Sequence, residues 1–143
     1  MLLGAMKAGQ AFANAPVAAV HALAYPLGGN YHIPHGLTKS LVLPHVLRFN
    51  LRDASSMYAE LASIVCDTPD MQENDRAASL AFVEYFEELP KRLRLQVSLR
   101  EMNIPYEDLP RLAEEAMLQQ RLLINNPREL KLENALEIYK RAF

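Results

Sequence analysis

Residues 21–50 read HALAYPLGGNYHIPHGLTKSLVLPHVLRFN and hold all four histidines of the chain, His21, His32, His35 and His45. His21 lies near the end of an apolar, alanine-rich run, AFANAPVAAVHALAY, and His35 stands where Pro34 would open a new helix. Pro26, Gly28, Gly29 and Asn30 are turn residues, so the spacing predicts a helix, a glycine loop and a second helix start. A loop that short brings His21 beside His35, where two imidazoles can share one metal ion. Neutral imidazole suits zinc, copper, iron and nickel, and a catalytic centre takes about three protein ligands or more. None of the 17 acidic residues lies between His21 and Asn50, so part of any such shell must come from elsewhere. The other reading is structural: a lone histidine on an apolar helix packs and bonds locally, His32 within its loop and His45 after Pro44. Spacing alone leaves both readings open.

Working outward, 143 residues suit one domain with a core of its own. A net charge of -2 gives no general attraction to nucleic acid or to an anionic membrane surface. The amino end, MLLGAMKAGQAF, lacks a basic start and an unbroken apolar span, so it reads as neither signal peptide nor membrane helix. Residues 1–13 read instead as the interior of a packed helix with no start signal, as if the chain began in mid-architecture. Cys66 is the sole cysteine, which excludes an internal disulfide and suits a reducing compartment; it reads as a buried, inert thiol. The glycines form no G-x-G-x-x-G, so the chain carries no phosphate cradle for a dinucleotide.

Beyond the histidines the pattern is helical throughout. Pro44 is expected to kink or restart a helix, and Asp53 or Ser55 to cap the next, with Met57 or Tyr58, Leu61, Ile64 and Val65 as its buried stripe. Thr68 and Pro69 read as a cap and first-position proline, with Asp70 and Glu73 at the positive end of a helix that runs to about Leu89. Phe82, Phe86, Leu89 and Leu93 form its core face, and KRLRLQVSLR reads as a solvated face with packed leucines. An amphipathic helix follows over LPRLAEEAMLQQRLL with Pro110 in its first turn. Asn125, Asn126 and Pro127 break the chain before a last helix carrying Leu132, Leu136, Tyr139 and Phe143 on one side. No strand is expected. The cap and break signals give an all-α bundle of about six to eight helices.

On AGQAFANA, VHALAYPLGG, IPHG and LVLPHVLRFN, and later on EDLPRLAEEAM, NNPREL and ENALEIYKRAF, the chain resembles the C-terminal region of the iron-containing alcohol dehydrogenases. That group's helical domain is related to those of dehydroquinate synthase and glycerol dehydrogenase. The likeness covers nearly the whole chain, and its histidine, loop and PHG portion is the specific part. It implies that residues 1–143 are a helical metal-binding domain at the C-terminal end of a two-domain enzyme whose preceding domain binds NAD or NADP. It implies His21 and His35 as metal ligands, joined by an aspartate and a histidine from an earlier helix, with divalent iron as the usual metal and zinc compatible.

Where many members carry a second histidine four residues after the first, this chain has Tyr25, a phenol that can donate and accept a hydrogen bond. The resemblance keeps it as a pocket residue. Phe12, with Gly9 and Asn14 in G-x-x-F-x-N, matches an aromatic bordering the substrate pocket, although an ordinary core role fits as well. The N-P-R segment implies an approach of residues 122–126 to the substrate. The implied activity is oxidation of a small alcohol, or reduction of an aldehyde or ketone, in a cytoplasmic homo-oligomer. With half of the ligand set and no nucleotide cradle, the isolated chain is expected to be inactive. Two other readings stand beside this one: a maleylacetate reductase-like oxidoreductase of the same superfamily, and a non-catalytic helical interaction module whose histidines are structural.

Overall fold

Apolar residues three and four apart wind most of the described chain into helices. The structure, a computed structural model, describes residues 1–66 and 75–143. Among the described residues there are seven α-helices and no strand: α1 (Leu2–Asn14), α2 (Ala19–Tyr31), α3 (His35–Val65), α4 (Asp75–Arg92), α5 (Leu109–Met117), α6 (Gln120–Leu123) and α7 (Leu132–Ala142). Two 3₁₀ turns, Arg100–Met102 and Tyr106–Asp108, join α4 to α5. The all-α expectation holds.

Several boundaries differ from the sequence reading. The alanine-rich run is not one helix: α1 ends at Asn14, and α2 starts only at Ala19, beyond Pro16, which puts His21 in the first turn of α2. Nor do the glycines form a loop. Helix α2 runs through Pro26, Gly28, Gly29 and Asn30, and the chain reverses at His32, which takes the left-handed conformation (φ 54°) and donates its N–H to the Gly28 carbonyl at 3.0 Å. Burial decides this against propensity. Ala22, Leu23, Ala24, Pro26 and Leu27 are all buried, and each large apolar side chain so buried contributes about 1.5–3 kcal/mol, against roughly 3 kcal/mol for an interior proline. Asn30 also bonds back to the Pro26 carbonyl at 2.9 Å, giving that acceptor a second donor.

Helix α3 is a single element of 31 residues, uninterrupted at Pro44 and uncapped at Asp53 or Ser55. Those two side chains work across helices instead. Asp53 pairs with Arg128 at 3.5 Å, and the Ser55 hydroxyl meets that of Ser79 on α4 at 3.0 Å. The buried stripe in the second half of α3 is Ala54, Tyr58, Ala62 and Cys66, a clean four-residue period of mostly small side chains. Tyr58 rather than Met57 takes the first place of the expected stripe, while Leu61, Ile64 and Val65 face outward, contrary to expectation, because α4 packs closely only where α3 is small. The expected cap at Thr68 to Glu73 lies outside the described residues.

Helix α4 carries Phe82 and Phe86 in edge-to-face contact at 5.0 Å, as its aromatic pattern implied, and it continues through Pro90. In the following stretch Leu99 is buried, but Leu93 and Leu95 are exposed rather than packed. The expected helix over residues 109–123 divides into α5 and α6, with Pro110 in the first turn of α5. Helix α7 docks on the bundle through Ala135, Ile138, Tyr139 and Ala142, while Leu132 stays exposed. Leu23 and Leu27 of α2, Leu41 and Val46 of α3, Leu112 of α5 and Tyr139 of α7 share one core. The fully buried Tyr139 hydroxyl donates to the Leu23 carbonyl at 2.6 Å. Helix α1 stands outside this core, with no buried residue, so the packed interior read into residues 1–13 is not formed among the described residues.

Candidate metal centre

His21 and Tyr25 lie one turn apart on α2, and the short return through buried Ile33 lays the first residue of α3, His35, against them. The His21 and His35 rings stand 5.8 Å apart between centroids, edge to face at 69°. The Tyr25 ring lies 6.3 Å from His21 and stacks at 6.5 Å on His35. Three residues singled out in the sequence thus share one place. Phe12 does not join them through any ring contact among the described residues. It sits on α1, 60% exposed, and the core role considered for it is not found.

Electrostatically the site favours neutral imidazole at His21. Burial lowers the basicity of its ring, and the charges of Lys39 and His35 lower it further. A neutral ring keeps a nitrogen lone pair for a metal. Lys39, one turn after His35 on α3, donates from its ammonium to His35 Nε2. Sequence reasoning passed over Lys39, although the i, i+4 spacing from His35 on a helix was a usable signal.

Two imidazoles this close fall within the span that metal–nitrogen bonds of about 2.0–2.1 Å allow. Among the described residues no group of three or more histidine, cysteine or acidic side chains converges, so the donors present fit half of a coordination shell. His32 and His45 are elsewhere. His32 ends α2, and half-buried His45 faces Glu87, itself held by Arg48 at 2.7 and 2.8 Å, with burial keeping the imidazole below its ordinary basicity. Cys66 is buried, which pushes its thiol up and away from the reactive thiolate, as expected. Leu122 and Leu123 are core residues. Asn125 ties the break after them to the Val17 carbonyl at 3.2 Å, just ahead of the helix that bears His21.

The family model described as Fe-containing alcohol dehydrogenase family, C-terminal, matches residues 1–143. The chain belongs to this family. It is 34% identical over 143 residues to lactaldehyde reductase of Escherichia coli (strain K12), covering all of this chain and 37% of that protein. It is also 34% identical to 1,3-propanediol dehydrogenase of Citrobacter freundii, of which it covers 36%. A crystal structure of 1,3-propanediol oxidoreductase superposes with a TM-score of 0.87 at 31% identity, over 95% of this chain and 35% of that one. The alcohol dehydrogenase from Oenococcus oeni gives a TM-score of 0.87 at 32% identity, over the same shares of the two chains. The chain therefore spans little more than a third of the length of the relatives it matches. Among its described residues no helix is long and apolar enough to cross a membrane.

Proposed function

We propose that this chain is the metal-binding C-terminal domain of an NAD(P)-linked alcohol dehydrogenase, with His21 and His35 as two of the metal's ligands. The observation that carries this reading is the 5.8 Å approach of the two imidazoles from separate helices. Tyr25 and His35 would wall the pocket, and the Tyr25 hydroxyl can bond a substrate oxygen. Iron, or zinc by ligand type, would supply Lewis-acid polarisation of that oxygen, while a nicotinamide held by a preceding domain would exchange hydride with a small alcohol or aldehyde. Phe12 belongs to this proposal as a pocket residue completed by that other domain, since α1 has no buried residue among the described residues. The cytoplasm and a homo-oligomer complete the reading.

The chain by itself binds metal weakly on this view, because affinity depends on a complete preformed ligand set, and it transfers no hydride. Zinc or ferrous titration of the purified chain, followed through the histidine ring resonances, tests this. His21 and His35 should respond together, and His21→Ala or His35→Ala should abolish the response. A response at His32 or His45 instead, or reduction of NAD by the chain with an alcohol, would overturn the reading.

A further inference from the structure

Helices α3 and α4 and the segment after α4 frame a half-open cleft of about 240 Å³ beside His35, lined by Gly36, Lys39, Leu43, Phe86, Leu89 and Leu93 among others. It is smaller than the roughly 300–1,000 Å³ of pockets for drug-sized ligands, so its occupant is small. The wall is hydrocarbon from both helices, and the charged residue in it is Lys39. A lysine whose stem lines an apolar wall while its ammonium reaches a polar rim is the usual compromise of that side chain. Here the ammonium rests on His35 Nε2, and among the described residues no carboxylate pairs with it. No acidic residue lies in the sequence from His21 to Asn50, and none lines the cavity.

We propose that this cavity is a binding site for a short aliphatic carboxylate, its chain among Leu43, Phe86, Leu89 and Leu93 and its carboxylate on the Lys39 ammonium. The site is built from α3 and α4 and does not rest on the metal reading. Its occupant offers the ammonium an anionic acceptor in place of the imidazole nitrogen, and a carboxylate makes the charge-assisted bond. Because Lys39 is shared with His35, an occupant would sit at the edge of the imidazole pair, and a carboxylic acid, the next oxidation level above an aldehyde, would be felt there.

The probe is hexanoate, compared with hexan-1-ol, titrated into the metal-free chain and followed by methyl and aromatic resonances. Hexanoate should move Leu43, Leu89, Leu93 and Phe86 and bind about tenfold more tightly than the alcohol, the usual scale for a hydrogen bond to a charged group. Lys39→Met should remove that preference while keeping the hydrocarbon wall. Leu93→Trp, at the exposed edge of the cavity, should weaken both ligands. Equal affinity for acid and alcohol, an undiminished preference in Lys39→Met, or shifts confined to other residues would overturn the proposal. Zinc titration of the same sample separates the two readings. Loss of the zinc response with hexanoate behaving as described would sink the metal centre alone, and the reverse would sink the carboxylate site alone.

Discussion

Helix α3 belongs to two different structures along its length. Its first half lies in a layered core between α2, α5 and α7, where large side chains such as Leu23, Leu41, Leu112 and Tyr139 are fully enclosed. Its second half packs on α4 over a seam of Ala54, Tyr58, Ala62 and Cys66 against Ala78, Phe82 and Val83, with Asp53 at its start reaching Arg128. The candidate centre sits on the first region. The contrast shows why: holding two rings from separate helices within 5.8 Å requires backbones fixed on several sides, whereas a two-helix seam fixes only one face.

If that contrast is right, the two regions should fail separately. The largest effect is expected from Tyr139→Ala, which empties a fully buried aromatic site and removes the side-chain donor to the Leu23 carbonyl. A loss of about 4–5 kcal/mol in urea unfolding is expected, with the resonances of His21 and His35 moving. Phe82→Ala should cost about 3 kcal/mol, but the added hydrogen exchange should be confined to the seam, with the two histidines undisturbed. Global exchange in that variant would show that the seam and the layered core are one cooperative unit.

A finer test lies where the first half of α3 meets the segment after α6. Asn50 and Asn126 exchange reciprocal amide bonds at 3.0 and 2.8 Å, and Asn50 is buried. Asn50→Leu leaves Asn126 Oδ1 without its donor, while the Asn126 amide nitrogen keeps the Arg128 carbonyl at 2.7 Å, and should cost about 1–2 kcal/mol; an effect near zero would mean that water replaces the bond.

The smallest expected effect is the pH response at the junction of the regions. His45 on α3 faces Glu87 of α4, Arg141 of α7 and Arg48 of its own helix, and it shares a cavity wall with Lys91. Burial, the leading cause, holds its folded pKa below 6.5, with Glu87 opposing. Below about pH 6.5 the unfolded chain therefore binds more protons than the folded one, so stability is full above that pH and falls beneath it. His45→Gln should flatten part of the decline in urea midpoint between about pH 7.5 and pH 5.5. An unchanged profile would exclude His45 as a contributor.

The helices themselves were legible because heptad-like apolar spacing survives any arrangement of neighbours. The pair His21 and His35 was legible too, through the proline and glycine punctuation between them and through the family resemblance. The punctuation was nevertheless misread in detail. Pro26, Gly28 and Gly29 lie inside α2, and the reversal falls to His32, a residue with no strong turn preference. Propensities of about 1 kcal/mol for glycine yield to the burial of a whole helix face. The stripe on α3 was misread for a related reason: size ranks leucine and isoleucine as core, but a close two-helix seam admits alanine and cysteine and turns Leu61 and Ile64 outward.

By itself the sequence determined the all-α class and the histidines that converge, since both depend on local spacing or on residue type. Only the tertiary structure decided which faces are buried, that Lys39 reaches His35, and that α1 buries no residue among those described. Those outcomes depend on which surfaces are removed from water together, a property of the packed assembly of helices rather than of any one of them.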